Sequence, residues 1–168
     1  MPVSFLIVLI LAVDLLSKYL VRAYLAGGPP ISVIGEFFTL TYVENSGAAF
    51  GLLSQKAYGP AILLFFALLF TLGLIYLLRQ LQYEPLRWGL ALVIAGSLGN
   101  ALDRALRGFV TDFLTFKFGD WYFPSFNIAD SAIVIGCILL AALILWDHQA
   151  QAELEAIFVQ DKKGPRHG

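Results

Sequence analysis

The segment from Ala61 to Leu78, AILLFFALLFTLGLIYLL, contains no charged residue. A run this apolar approaches the ~20 residues that carry a helix across ~30 Å of hydrocarbon. In lipid the backbone must satisfy its own N–H and C=O groups, so a helix is the default conformation. Three more segments read the same way, from about Val3 to Leu25, Leu86 to Arg104 and Asn127 to Trp146. A chain that is 59% hydrophobic with mean hydropathy +0.78 is too apolar for an ordinary soluble domain. The expectation is an all-α integral membrane protein, one domain over residues 1–168, built as a four-transmembrane-helix bundle. Four crossings put both termini on one side. No Lys or Arg precedes the first run, and Asp14 and Lys18 interrupt its second half. It therefore reads as a retained helix rather than a secretory signal.

The connections differ in kind. RQLQYEPLR, between the second and third segments, is short and polar. The stretches at about 31–53 and 109–125 are rich in Val, Phe, Thr and Tyr and read as strands, the first ending in a small-residue turn. A small β-structure on one face of the bundle follows. Gly119-Asp120 is an acceptable two-residue hairpin turn. Carried down the ladder from that turn, the register sets Asp112 opposite Asn127, ~5 Å apart at Cβ. Asn127 and Asp130 are i,i+3 on a helix, ~5–6 Å apart. The two aspartates then come within reach of one water, although Pro124 interrupts the ladder. Residues 147–168 are a polar tail that begins as a helical extension.

Net charge is -1, so nothing points to nucleic acid. Cys137 is the one cysteine, so no intrachain disulfide forms, and its apolar helix makes it a packing or lipid-facing residue. Trp88, Trp121 and Trp146 fall near segment ends, as interfacial anchors do. Arg79, Arg87, Lys162, Lys163 and Arg166 lie on one side of the bundle, and Arg22, Lys56, Arg104, Arg107 and Lys117 on the other. The balance gives no orientation by the positive-inside rule.

Both histidines, His148 and His167, lie in or beside the tail, so a Ser–His or Cys–His nucleophile lacks its base. No His/Cys cluster suits zinc. Gly96-Ser97-Leu98-Gly99 reads as small-residue helix packing. The carboxylates remain. Asp130 stands at the mouth of an apolar run, where a charge is costly and by default functional; it is equally placed to cap its helix. Asp112 alone is an ordinary loop carboxylate. Together, two neighbouring carboxylates share a proton. The ionised one takes a proton from water, and the protonated one polarises a carbonyl. Asp14 and Lys18 are i,i+4 and form an ion pair that is structural or substrate-directed. Asn100, Asp103 and Arg104 share one helix face. Arg104 either grips a carboxylate bidentately, the favoured reading, or snorkels to headgroups. Asn45 and Gly47 suit a tight turn.

Five ordered motifs span about Val13 to Trp146: DLLSK at Asp14–Lys18, ENSGAAFG at Glu44–Gly51, GSLGNALDR at Gly96–Arg104, GFVTDF at Gly108–Phe113 and FNIADS at Phe126–Ser131. In this order and spacing the chain resembles the lipoprotein signal peptidases (signal peptidase II), membrane aspartic peptidases of bacteria. Two positions depart from the family pattern: Leu15 stands where Gln is frequent, and Ala95-Gly96-Ser97 where two adjacent glycines are usual. The resemblance implies that Asp112 and Asp130 are the catalytic pair. It implies that Asp14, Lys18, Asn45, Gly47, Asn100, Asp103, Arg104, Asn127 and Ala129 bind substrate or brace the site, with no metal and no cofactor. It implies a diacylglyceryl-prolipoprotein substrate cut before its lipidated cysteine. Membrane lipids are the other partners, and a monomer is expected. The implied location is the bacterial cytoplasmic (inner) membrane, with both termini cytoplasmic and the β-structure and active site extracytoplasmic. The competing reading is a small proton-coupled transporter or channel that uses Asp14, Lys18, Asp103 and Asp130 as a relay.

Overall fold

The structure is a computed structural model and describes residues 2–47 and 58–162. Ala48–Gly51 of the small-residue turn, Lys56, Lys163, Arg166 and His167 lie outside them. The elements run α1 (Val3–Leu25), β1 (Ile31–Ile34), β2 (Phe38–Asn45), α2 (Gly59–Gln80), α3 (Glu84–Arg107), β3 (Val110–Phe118), β4 (Trp121–Phe126), α4 (Ile128–Trp146) and α5 (His148–Lys162).

Among the described residues, α1, α2 and α4 are long and apolar enough to cross a membrane. The third predicted crossing became α3, which is not among them. Its composition differs because of where it packs. α3 lies against α1, α2 and α4 and contributes far more buried residues than any other helix. A helix sheathed by other helices meets little lipid, so small and polar residues are tolerated along it. α2 is the reverse case. Only Gly59 and Thr71 are buried in it, and Phe65, Phe66, Phe70 and Tyr76 stand exposed. Apolar surface on that scale is costly in water and neutral in hydrocarbon. Thr71 satisfies its hydroxyl within the helix, donating to the Ala67 carbonyl at 2.7 Å. Cys137 is exposed on α4, as its apolar helix led us to expect.

Helix ends follow local chemistry. Pro60 and Pro85 sit in the first turns of α2 and α3, where a missing N–H costs nothing. Gly108, at φ 79°, ends α3 in the left-handed conformation, and its N–H donates to the Arg104 carbonyl. The strands form one antiparallel sheet in the order β1-β2-β3-β4. It docks on the end of α1, where Phe113, Val21 and Leu25 are buried together with Leu40, Tyr42, Leu114 and Ile128 packed around them. Phe38, Phe116 and Phe126 stack across the strands, with ring centroids 4.7 and 5.9 Å apart.

The hairpin turns at Gly119-Asp120, with Gly119 at φ 63°. Phe118 pairs with Trp121, Lys117 with Tyr122 and Phe116 with Phe123, as predicted. Beyond Phe116 the register slips, and Leu114 pairs with Phe126. Pro124 falls in the slipped stretch; it has no N–H to give the ladder, and a bulge absorbs the defect. Asp112 therefore has no paired partner on β4.

The predicted helical extension forms as α5 and is docked on the bundle. Ala150 is fully buried in a cluster with Leu81, Leu86, Leu90 and Ile94. Asp147 accepts from the N–H groups of Gln149 and Ala150 at 2.9 and 3.0 Å and from the Tyr83 hydroxyl at 2.8 Å. The Glu153 carboxylate accepts the N–H groups of Gln82 and Tyr83. It caps the start of α3 from outside, where no residue of that helix supplies a side-chain cap. Glu153→Ala is expected to cost about 1 kcal/mol, the usual worth of a lost cap. Thermal unfolding of the purified protein in detergent should show a lowered midpoint, and an unchanged midpoint would refute the capping role.

Candidate active site

Three elements bring polar side chains to one end of the bundle. Asp14, Lys18 and Arg22 recur every fourth residue on α1. Asn100, Asp103 and Arg104 share a face of α3. α4 begins there with Asn127 as its cap. The turn spacing of a helix makes each set a single stripe. Gly96 and Gly99 let the stripes meet: a Cβ on Gly99 would stand 2.5 Å from Asp14 Oδ2 and 3.3 Å from Ala129 Cβ, and one on Gly96 would strike the Ala129 carbonyl. The Gly96–Gly99 segment is a packing surface, as its small residues suggested.

At the centre Lys18 and Asp14 are both fully buried, 2.8 Å apart. Asp14 Oδ1 accepts the Ala129 N–H at 2.9 Å, which ties α1 to the first turn of α4. Ala129 is itself fully buried. Lys18 Nζ donates to Asn100 Oδ1 at 2.9 Å and lies 3.7 Å from Asp103 Oδ2. An ammonium can only donate. Asn100 therefore presents its oxygen to Lys18 and its amide N–H to Asp130 Oδ1, at 2.7 Å.

Asn127 joins the two aspartates. Its backbone N–H donates to Asp130 Oδ2 at 3.2 Å, and its Oδ1 accepts the Asp130 N–H at 2.9 Å, a capping box. Its Nδ2 donates to Asp112 Oδ1 at 2.7 Å and to Asn100 Oδ1 at 3.2 Å. Asp112 Oδ2 accepts from Asn45 Nδ2 at 2.9 Å. Asn45 Oδ1 in turn accepts the Gly47 N–H at 3.1 Å, so the turn after β2 orients the amide. Each of the four carboxylate oxygens thus accepts a hydrogen bond from a neutral N–H. Burial pushes the Asp112 carboxyl up to about 6; the Asn45 hydrogen bond opposes this, and the nearby Asp130 charge adds to it. Neutral amides hold these groups without neutralising them, so a proton can still be shared.

Asp103 is a second hub. Its Oδ1 accepts from Arg22 and Arg107, each at 3.2 Å, and its Oδ2 accepts the Thr111 N–H at 3.0 Å. Arg22 also donates to Thr111 Oγ1 at 2.8 Å. This cluster pins the start of β3, one residue before Asp112. Sequence reasoning did not place Arg22, Arg107 or Thr111 here. Arg22 was within reach of it, since it continues the Asp14–Lys18 stripe by one turn; Thr111 carries no such signal. Arg104 differs from its favoured reading. Among the described residues it forms no ion pair with a carboxylate, and it donates to the Gly47 carbonyl at 3.0 Å. The donors that meet the Asp112 and Asp130 oxygens are instead N–H groups of Asn45, Asn100 and Asn127.

Comparison with known proteins gives consistent results. A model of the family described as Signal peptidase (SPase) II matches residues 6–146. The chain is similar to a lipoprotein signal peptidase of Moorella thermoacetica (strain ATCC 39073 / JCM 9320), with 43% identity over 86% of this chain and 93% of the relative. It is similar to another of Francisella tularensis subsp. novicida (strain U112), with 42% identity over 83% and 88%. A bacterial membrane enzyme solved by the in meso method at 1.9 Å resolution superposes with TM-score 0.76 at 33% identity, covering 86% of this chain and 93% of that one.

Removing one member of a buried ion cluster leaves uncompensated charge. Lys18→Met should therefore cost about 3–5 kcal/mol, because Asp14 and Asp103 are fully buried beside it. The check is thermal unfolding in detergent at neutral pH. A variant as stable as the parent would mean the cluster contributes nothing.

Proposed function

The chain belongs to the signal peptidase II family, and we propose on that premise that Asp112 and Asp130 are its catalytic pair. The activity is that of a membrane peptidase acting on lipoprotein precursors. The proposed cut falls immediately before the diacylglyceryl-modified cysteine of a bacterial prolipoprotein and frees its signal peptide. One observation carries the residue assignment: Asn127 donates its backbone N–H to Asp130 and its side-chain N–H to Asp112. A single residue thereby sets the spacing of the two carboxyl groups.

The chemistry follows from that spacing. With one proton on the pair, the ionised carboxylate takes a proton from water as its oxygen adds to the scissile carbonyl. The protonated carboxyl gives its proton to the carbonyl oxygen, yielding a neutral gem-diol. Collapse breaks the C–N bond while the pair returns one proton to the departing nitrogen and recovers the other. Asn45, Asn100 and Asn127 hold the carboxyls, Asp14 and Lys18 brace the start of α4, and Asp103 braces β3. Arg104 reaches the turn at Gly47 beside the dyad, where its buried Nε has no hydrogen-bond partner among the described residues. It is the group best placed to meet a substrate carbonyl.

The proposed topology is a four-helix bundle with α3 as a fourth, sheathed crossing. The short link from Gln80 to Glu84 supports it, because a helix joined to α2 so tightly must run back antiparallel. Both termini then lie in the cytoplasm, and the sheet and the aspartates lie at the outer face of the bacterial inner membrane. The transporter reading finds no support. A relay needs ionisable groups along the depth of the bundle, whereas Asp14, Lys18 and Asp103 engage one another at a single level.

Asp112→Asn and Asp130→Asn should each lower turnover of a lipidated prolipoprotein by about 10²–10⁴-fold while the purified variant still folds. Near-normal turnover by either variant would overturn the assignment. The raised Asp112 carboxyl adds a pH dependence. Burial holds the Asp112 carboxyl near 6, so the pair keeps its shared proton below about 6 and loses it above. The free-enzyme parameter kcat/KM should therefore fall as pH rises past about 6, approaching about tenfold per pH unit. A profile that rises through the same range would assign the base role to a fully ionised pair instead.

A further inference from the structure

The end of the bundle remote from the aspartates carries a second feature. Along α3, Glu84 and Asn100 are separated by about 24 Å at 1.5 Å per residue. At the Glu84 end a cleft of about 1060 Å³ opens among the helix ends, with Ile7 of α1, Leu78 and Arg79 of α2, Arg87 and Trp88 of α3, and Leu139 of α4 in its wall. Its volume is at the upper end of the range for small-molecule sites.

Its chemistry is divided. Its lining combines aliphatic Ile7, Leu78 and Leu139 with the guanidiniums of Arg79 and Arg87. Arg87 donates to the Leu81 carbonyl at 3.1 Å. Its Nε is buried without a hydrogen bond, 3.5 Å from Glu84 Oε1. Glu84 Oε2 is occupied by the Trp88 indole N–H at 3.1 Å. Arg79, in the last turn of α2, is exposed and has no ion-pair or hydrogen-bond partner among the described residues. The cleft is lined by one carboxylate, Glu84, and two guanidiniums, Arg79 and Arg87, so its lining keeps an excess of positive charge. Arginine in the end turn of an apolar helix and a tryptophan beside it mark the headgroup level of a bilayer. A cleft that is cationic at headgroup level and apolar below complements an amphiphile with an anionic head.

We propose that this cleft binds an anionic phospholipid, its phosphate held between Arg79 and Arg87 and one acyl chain lying along Ile7, Leu78 and Leu139. Basic pockets between membrane helices recognise headgroups in this way. The Glu84–Arg87 contact leaves room for it, since at 3.5 Å a phosphate is a better partner for the guanidinium fork. The site is separate from the peptidase chemistry and stands whether or not the dyad assignment does.

The test is native mass spectrometry of the purified full chain offered phosphatidylglycerol and phosphatidylcholine with the same acyl chains. Bound phosphatidylglycerol should exceed phosphatidylcholine, and Arg79→Gln should reduce that preference about fivefold. Arg79→Gln/Arg87→Gln should remove it. Lys117→Gln, at the other end of the molecule, should leave it intact. Ile7→Trp, which fills the apolar wall, should weaken retention of both lipids. Arg79 is exposed, so its variant tests the site without threatening the fold, and unchanged peptidase turnover confirms this. Equal binding of the two lipids, an unchanged preference in the double variant, or an equal loss in Lys117→Gln would overturn the proposal. Displacement of the lipid by inorganic phosphate alone would also overturn it, by reducing the cleft to a simple anion site.

Discussion

A buried ammonium organises this end of the molecule. Lys18 is fully buried, and its group can only donate. Asp14 and Asp103 supply the charge that makes its burial tolerable, and Asn100 supplies a neutral acceptor. From that point the directions of the hydrogen bonds follow. Asn100 must turn its oxygen to Lys18, so its N–H faces Asp130. Asn127 must accept from the Asp130 backbone, so its Nδ2 faces Asp112. The cation forms no hydrogen bond or ion pair with Asp112 or Asp130, yet it sets which atoms surround them.

The same cluster joins elements far apart in the chain. Asp14 ties α1 to the start of α4 through the Ala129 N–H, and Asp103 ties α3 to the start of β3 through the Thr111 N–H. Gly99 makes the first contact possible, because any side chain there would displace Asp14. α3 is the polar spine of the protein, and the apolar helices are its sheath. This explains why the helix richest in site residues is, of the four bundle helices, the one least suited by composition to face lipid. The spine's other end, fastened by α5 through Glu153 and Ala150, is where the cationic cleft opens.

Much of this was legible in the sequence. The helices fall close to where hydrophobic run length put them, and the hairpin turns at Gly119-Asp120 as its residues suggested. Asp14 and Lys18 pair as their spacing required. The proximity of Asp112 and Asp130 was anticipated for a partly mistaken reason. The ladder was expected to set Asp112 against Asn127, but the strand slips near Pro124, and the Asn127 side chain makes the link instead. Asp130 was read as either a cap or a functional carboxylate, and the capping box shows that it is a cap without freeing it from the second role. Arg104 was misjudged because a lone sequence cannot show which acceptor a long side chain will meet, here the Gly47 carbonyl. Residues 147–168 were read as a helical extension running into a tail because they are polar; the helix forms as α5, and its docking, which the sequence did not suggest, rests on a few residues, Ala150 and Glu153 above all.

The sequence by itself determined which segments are helices, which are strands and which residue types are available for chemistry. Those properties depend on hydrophobic run length, turn chemistry and composition, all of them local. Only the tertiary structure decided the direction of each amide, the slip in the hairpin, the gathering of Arg22, Arg107 and Thr111 on Asp103, and the cleft between Arg79 and Arg87. Each of these depends on partners brought together from separate elements. A hydrogen bond between such partners is specified by packing, and packing is a property of the whole bundle rather than of any stretch of it.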